Sequence, residues 1–195
     1  MENEREDPSF STEVSWRSLL MTGKTHIIGG LDVALVAPFF STAFGMLVAD
    51  MRLIDCAICL FAAIGGSLFP DIDLHGSKMG HKTGVISLVI QSVFGHRSLF
   101  HSPLLMVFLY FCMNSFFPEY QIYANYFFAG MGSHLFLDMC NKKGIPVLYP
   151  LPKRFHIASI KTRSFGESLF AIVLLVILFV LLAATLFFPD IFQRK

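Results

Sequence analysis

Histidine and aspartate residues stand at the ends of several apolar stretches of this chain, where an ionisable side chain is costly to keep. Neutral imidazole and carboxylate are the groups that hold zinc and similar divalent ions in proteins. Such residues at such positions predict a metal site. They fall into four short motifs: Thr25-His26, Asp71-Ile72-Asp73, His96 to His101, and His134 to Asp138.

The spacing within two of these motifs favours ligation over simple packing. Asp71 and Asp73 alternate about one Ile, so in an extended segment both carboxylates project to the same side. Paired carboxylates can bridge metals or combine a ligand with a base. His134 and Asp138 are four residues apart, hence on one helical face and able to chelate one ion. The alternatives are a helix cap for the aspartates and a buried His–Asp hydrogen bond.

The remaining candidates depend more on context. His96 and His101 lie where a loop becomes a helix, so one is expected to bind metal and the other to orient a ligand or contact a phosphate. Arg97 suits bidentate contact with a phosphate, with extension along the membrane interface as the equal alternative. His26 is weak support by itself, because Thr25 could be a helix N-cap, and gains weight as a member of the set.

The composition indicates an integral membrane protein. Of 195 residues, 54% are hydrophobic and only 15% are charged, and the mean hydropathy is +0.62, too apolar for an ordinary soluble domain. The bilayer is therefore the expected partner. The formal net charge is +1 and no basic stripe is interleaved with aromatic residues, so no nucleic-acid partner is indicated. Cys56 and Cys59 have redox spacing but lie in an apolar run, which favours plain helix packing.

Hydropathy predicts an all-α, polytopic membrane helix bundle with about five spans, judged against the roughly 20 residues that cross a bilayer. Residues 1–21 are typical of a disordered polar tail without a cleavable signal peptide, with Met21 as an alternative start. Residues 22–195 are expected to form a single membrane-embedded domain. An apolar run at 85–94 is too short to span. The five predicted spans are 27–48, 53–69, 99–117, 122–139 and 168–188.

Tracing these spans puts all four motifs on one side of the membrane. The first helix leaves that side at His26, and the second returns to it at Asp71. The third leaves again after His101, and the fourth returns at Asp138. Twelve of the fifteen Lys and Arg residues lie on the same side, which by the positive-inside rule faces the cytoplasm. The site is therefore expected at the cytoplasmic face.

The order and wording of the motifs carry a family resemblance. The motifs are Thr25-His26, Phe69-Pro70-Asp71-Ile72-Asp73, Phe94-Gly95-His96-Arg97-Ser98-Leu99-Phe100-His101-Ser102 and Gly132-Ser133-His134-Leu135-Phe136-Leu137-Asp138. Together they resemble the YdjM-type family of bacterial inner-membrane metal-dependent hydrolases, also described as LexA-regulated or LexA-binding. The likeness covers about residues 22–188. Each piece is short, and the combination is specific.

The resemblance implies a ligand set and an activity. The family is grouped with zinc-dependent phospholipases C and single-strand-specific nucleases, where a His followed four residues later by Asp supplies ligands to a multi-zinc centre. By that analogy His134 and Asp138 are ligands, completed by His26, His101 and either Asp71 or Asp73. Glu167 is a lesser candidate ligand, because Gly166-Glu167 matches the family's pattern at the last helix. An inner-membrane location is implied as well.

The leading hypothesis from the sequence is metal-assisted hydrolysis of a phosphoester, with zinc as the expected cofactor. Asp73 would orient or deprotonate the attacking water, and Arg97 would stabilise charge on the phosphoryl oxygens. A site level with the headgroups suggests a phospholipid or other amphiphile as substrate. Two alternatives stay open: a divalent-metal transporter or sensor, whose ligands are expected near the bilayer midplane, and a scaffold with a structural metal.

Overall fold

The computed structural model describes residues 23–37, 52–73, 84–85, 89, 92, 99–151, 153–160 and 164–187. Within these ranges the chain forms five α-helices, and its only β-structure is two isolated bridges. The all-α prediction is confirmed for this part of the chain. The predicted tail at 1–21 and most of the apolar run at 85–94 lie outside it. The helices are α1 (Gly23–Val36), α2 (Leu53–Leu68), α3 (Pro103–Phe116), α4 (Gln121–Met139) and α5 (Phe165–Phe187).

Short 3-10 turns flank the helices that carry the candidate residues. One turn, Phe69–Asp73, continues directly from α2, and another, Leu99–His101, precedes α3. Ser102 is the N-cap of α3, where its hydroxyl accepts a hydrogen bond from the Leu104 amide at 3.3 Å. Pro103 at the first helical position fixes the start of this helix, so α3 begins four residues later than the predicted span. His101 therefore lies just outside the helix.

Helix α4 is the centre of the bundle, packing against α1, α2 and α3, while α5 packs on α1. Glycines allow this packing. A Cβ at Gly66 of α2 would collide with the carbonyl of Phe127, and one at Gly130 of α4 would collide with the carbonyl of Ala63. The two backbones are therefore in direct contact, as in membrane helix pairs joined through small residues. Such contact holds the ends of α2 and α4 at a fixed spacing.

The bundle exposes apolar side chains and buries polar ones. Along α5, Phe179 is 72% exposed and Val180 is 58% exposed, whereas the interior of the bundle holds buried histidine and aspartate residues. A soluble protein distributes these residue types in the opposite way. The surface of α5 is thus suited to lipid.

Two helices among the described residues are long and apolar enough to cross a membrane: Leu53–Asp73 and Phe165–Ala183. Helix α3 is apolar but only 14 residues long. Helix α4 has 19 residues and carries polar side chains such as Asn125 and His134 on its buried surface, which lowers its hydropathy. Two of the five predicted spans therefore satisfy length and composition by themselves. Helix α1 begins at Gly23, four residues before the predicted span, and residues 38–51 lie outside the description.

Candidate metal centre

The four motifs converge at one end of the bundle. His26 lies in the first turn of α1, Asp71 in the 3-10 turn after α2, His101 in the turn before α3, and His134 with Asp138 in the last turns of α4. Both His101 and His134 are 0% exposed. Only the Asp71 side chain keeps partial exposure, 15%. The convergence follows the order of helices that the sequence predicts.

A first group of potential ligand atoms joins α1 to α4. His26, His134 and Asp138 each offer one atom, and these atoms lie within 4.8 Å of one another. Nε2 of His26 is 3.8 Å from Oδ1 of Asp138, and Nε2 of His134 is 3.6 Å from Oδ2 of the same carboxylate. The two imidazole rings stack with their centroids 3.8 Å apart. The i, i+4 spacing of His134 and Asp138 thus turns both side chains to one point.

A second group shares His134 and adds the two loop motifs. Asp71, His101 and His134 offer atoms within 4.8 Å of one another. Oδ1 of Asp71 is 4.0 Å from Nε2 of His101 and 3.8 Å from Nε2 of His134, and these two nitrogens are 3.4 Å apart. Ligands of a tetrahedral zinc ion lie about 3.3 Å apart, given bonds of roughly 2.0 Å. The observed spacings are close to that value, and Nε2 of His134 belongs to both groups.

Hydrogen bonding decides which nitrogen His134 presents. Its Nδ1 lies 2.7 Å from the carbonyl oxygen of Ser67. A carbonyl only accepts, so Nδ1 carries the proton and donates it. The lone pair of Nε2 is then directed toward Asp138 and Asp71. A backbone carbonyl that fixes the tautomer in this way is the usual support of a metal-binding histidine.

Asp73 orients the imidazole ring of His101. Nδ1 of His101 is 3.1 Å from Oδ2 of Asp73, and both side chains are fully buried. If Nδ1–H donates to this carboxylate, Nε2 of His101 is left with a lone pair, 3.3 Å from Oδ2 of Asp138. Asp73 therefore lies behind the imidazole, and Asp71 lies on the side of the ring that faces the cluster. The sequence alone had suggested Asp73 for the water.

The atoms that these side chains turn toward one another are carboxylate oxygens and imidazole nitrogens, 3.3 to 4.0 Å apart. The set of two histidine nitrogens with carboxylates is typical of zinc and similar divalent ions. The residues present thus fit a divalent metal.

Glu167, the lesser candidate ligand, lies beside the start of α1. It lies in the first turn of α5, is 4% exposed, and belongs to neither group of converging ligand atoms. Its Oε1 accepts a hydrogen bond of 3.4 Å from the Thr25 hydroxyl. Because Thr25 precedes His26, this contact ties the start of α5 to the segment that carries a candidate ligand.

Three observations complete the account of the predicted residues. His96 and Arg97 lie outside the described residues. Cys59 is buried in the apolar core, in agreement with the packing interpretation. Burial raises the pKa of the Cys140 thiol above its usual range, and Asp138 adds to the shift, so this neighbour of the cluster stays protonated at neutral pH.

Sequence reasoning missed the support that comes from main-chain and cap groups. The carbonyl of Ser67 leaves no side-chain signature, although its partner His134 had been identified. Ser102 had been noted only as part of a motif, yet its hydroxyl also donates to the Val147 carbonyl at 3.3 Å. That bond joins the loop after α4 to the residue next to His101.

With this geometry described, comparison with known proteins identifies the family. Residues 21–192 match the family described as YdjM inner membrane protein. The chain belongs to the YdjM family. It is therefore a membrane protein, and the resemblance carried by the motifs is confirmed, whereas the likeness to phospholipase C remains a prediction.

The relatives differ in how much of the chain they cover. The uncharacterised protein YvsG of Bacillus subtilis (strain 168) is 37% identical over 150 residues, which is 76% of this chain and 86% of YvsG. Inner membrane protein YdjM of Escherichia coli (strain K12) is 34% identical over 100 residues, 49% of this chain and 51% of that protein. The match thus spans about half of the Escherichia coli protein. No solved structure matches the chain.

Proposed function

We propose that this YdjM-family protein is a membrane-bound, metal-dependent phosphoester hydrolase. The observation that supports this function best is the convergence of His26, His134 and Asp138 with Asp71 and His101 in one cluster of imidazole nitrogens and carboxylate oxygens. Burying four such side chains beside the partly exposed Asp71 has a cost, which a bound divalent ion offsets. Zinc is the metal that this mixture of imidazole and carboxylate favours.

The residues have separate roles in this proposal. His26, His134 and Asp138 would hold the metal, with Nε2 of His101, close to Asp138, as a further ligand. The bound metal supplies Lewis-acid activation of water and neutralises charge on the phosphoryl group. Asp71 is the carboxylate with partial exposure, so it orients the attacking water and accepts its proton. Asp73 positions His101 through its hydrogen bond to Nδ1.

The class of substrate follows from the expected position of the site at the membrane surface. Arg97, adjacent in sequence to the His101 segment, is assigned to the phosphoryl oxygens from its residue type alone. A five-span topology with the site at the cytoplasmic face of the inner membrane agrees with the twelve-to-three division of Lys and Arg. A phospholipid or another amphiphilic phosphoester in that leaflet is the substrate class that could reach such a site.

The test of function begins with metal analysis of the protein purified in detergent or nanodiscs. We expect a stoichiometric divalent metal, removable by chelator, and hydrolysis in a screen of phospholipids and soluble phosphoesters that chelator abolishes and metal restores. Metal-loaded protein that hydrolyses none of these substrates would refute the hydrolase proposal. Protein that binds no divalent metal would refute the metal centre as well.

The topology has its own test. A reporter fused after Lys195 should be active on the periplasmic side, and one inserted near Lys142 should be active on the cytoplasmic side. Reporters on the same side would contradict five spans, whatever the outcome of the hydrolysis screen.

A structural metal is the second candidate function, and one observation favours it. The potential ligands other than Asp71 are almost fully buried, as in the closed sites where zinc only stabilises a fold. Metal-loaded but inactive protein, whose thermal stability falls when metal is removed, is the result expected for this alternative. A transporter or sensor is less well supported, because the cluster lies at helix ends and not along the length of the helices.

A further inference from the structure

The loop between α4 and α5 has a strongly asymmetric charge. Between Asp138 and Glu167 the sequence contains no acidic residue. The same stretch contains six basic residues: Lys142, Lys143, Lys153, Arg154, Lys161 and Arg163. We use the name basic loop for residues 141–151 and 153–160, the part of this stretch that the structure describes. Such an excess of basic over acidic residues in one stretch favours an anionic partner.

The basic loop is held against the end of α4 by backbone hydrogen bonds. The amides of Ile157 and Ile160 donate to the carbonyls of Met139 and Cys140 at 2.8 and 3.1 Å. Ile145 and Phe155 exchange two backbone bonds, of 3.0 and 2.9 Å, and form an antiparallel bridge. The bonds to Met139 and Cys140 use carbonyls that the end of α4 leaves without helical partners. The loop is therefore an ordered element with a defined outer surface.

That outer surface combines apolar and basic side chains. Lys142, Lys153 and Arg154 are exposed in the same loop. Folded soluble loops rarely present several large apolar side chains together, whereas elements that lie at a bilayer interface combine them with Lys and Arg. The exposed apolar residues are Leu148, 55% exposed, Leu151, 57%, Phe155, 57%, and Ile157, 59%.

The loop lies at the same end of the bundle as the candidate metal centre. It follows the turn of α4 that carries Asp138, and it ends shortly before Glu167 in the first turn of α5. The Ser102 hydroxyl donates to the Val147 carbonyl, which ties the loop to the residue next to His101. Because α5 is apolar and exposed along its length, a membrane that surrounds α5 meets this loop at the level of the headgroups.

We infer that the basic loop inserts its exposed apolar side chains into the headgroup region and binds anionic phospholipid with Lys153 and Arg154. A positive loop with apolar residues fits a negatively charged leaflet in both charge and polarity. Lipid held there lies beside the cluster of His and Asp side chains. The inference requires that the chain be embedded in a membrane, which family membership supports, and does not require hydrolysis.

The test uses the full-length protein in nanodiscs and a fluorescent reporter in the loop. The chain has a single tryptophan, so Trp16→Phe removes the background signal and Phe155→Trp adds a reporter. Quenching is measured with doxyl-labelled phosphatidylglycerol and, separately, with doxyl-labelled phosphatidylcholine. We expect both lipids to quench the reporter, with the anionic lipid enriched there by roughly fivefold for each basic side chain that contacts it. Leu151→Trp serves as a second reporter if the first variant does not fold.

Charge variants test the assignment to the loop. Lys153→Gln combined with Arg154→Gln should reduce the anionic preference severalfold. Arg194→Gln combined with Lys195→Gln removes the same charge at the chain terminus and should leave it unchanged. Equal quenching by the two lipids in the unmodified loop would overturn the inference. So would a reporter open to aqueous acrylamide and insensitive to lipid, or one shielded only at high protein concentration, which would indicate a second copy of the chain. None of these readouts depends on turnover.

Discussion

The aspartates at the two ends of the α2–α4 helix pair have different chemical surroundings. At the end where α2 begins, Asp55 accepts hydrogen bonds from Arg52 Nε at 3.0 Å and from the Tyr123 hydroxyl at 2.9 Å. At the end where α4 finishes, Asp138 faces the imidazole nitrogens of His101 and His134. An arginine and a tyrosine hydroxyl contact the first carboxylate, while histidine side chains contact the second.

This difference distinguishes a cluster that contains its own cation from the candidate metal centre. The Asp55 cluster brings its own positive charge, and its hydrogen bond and charge raise the pKa of the Arg52 guanidinium above the ordinary value. Arg52 is 80% exposed, so water also screens the pair. The Asp138 cluster is buried and composed of groups that bind metals. The same residue type thus serves as a surface contact at one end and as a candidate ligand at the other.

The largest effect should come from His134, which belongs to both groups of ligand atoms. Replacing it with Ala removes a nitrogen from each group, so metal content and any hydrolysis should both fall by well over the roughly 10- to 100-fold typical of lost supporting partners. Metal analysis of the purified variant measures this. Asp55→Asn at the opposite end is the control and should retain full metal. If the metal content of His134→Ala were unchanged, the two ends would not differ in metal binding.

The paired aspartates allow a sharper test within the site. Asp71→Asn should retain most of the metal while hydrolysis falls by roughly 10² to 10⁴, because the variant lacks the base. Asp73→Asn weakens the support of His101, so metal affinity should fall by roughly 10- to 100-fold and excess metal should restore turnover. Metal titrations of both variants separate the two roles. If Asp73→Asn stays inactive at saturating metal and Asp71→Asn is active, the assignment made from sequence is the right one.

A change in the spacing between α2 and α4 should have a smaller effect than the loss of a ligand, and it should first lower the stability of the protein. Gly66→Ala introduces a Cβ that collides with the Phe127 carbonyl, so α2 and α4 must separate. We expect a loss of roughly 1 to 3 kcal/mol, typical of an overpacked core, measured by unfolding in detergent. The adjacent Gly65→Ala is a matched control, since a Cβ there has no atom within 4 Å. Equal stability of the two variants would show that the helices are not in direct contact at Gly66.

The smallest effect on stability is expected at the Asp55 end of the helix pair, where Arg52 and Tyr123 donate hydrogen bonds. Tyr123→Phe removes one hydrogen bond to Asp55, whose other partner Arg52 remains. We expect a slight decrease in the unfolding temperature, below that of Gly66→Ala, with unchanged metal content. A loss of metal in this variant would mean that the two ends of the bundle are coupled and that the contrast between them is incomplete.

Much of the fold was accessible from hydropathy, and the errors have local causes. The second and fourth spans agree with α2 and α4 to within about a residue, because apolar runs with turn residues at their ends define them. The third span was extended to residue 99 because Leu99 and Phe100 are apolar, whereas the Ser102 cap and Pro103 make the helix begin at residue 103. Hydropathy could not identify α4 as the buried centre, since its polar residues are satisfied only by neighbouring helices.

Part of the candidate site could also be predicted from local sequence patterns. His134 and Asp138 share a helical face by their spacing, so their convergence required no tertiary information. The roles of Asp71 and Asp73 could not be separated, because the backbone between them is a 3-10 turn and not an extended segment. In that turn the two carboxylates diverge, one toward the cluster and one behind His101.

The sequence by itself determined the class of the protein, its helices and the residue types at their ends, because composition and local periodicity act within a few turns of chain. Only the tertiary structure decided which atoms face one another. The tautomer of His134 depends on a carbonyl 67 residues away, and the partner of Glu167 is a hydroxyl 142 residues away. The close approach of α2 and α4 at Gly66 and Gly130 brings Ser67 and His134 together, and the packing of α5 on α1 does the same for Thr25 and Glu167. Long-range packing therefore assembled the site from helix ends whose residues could be identified in the sequence.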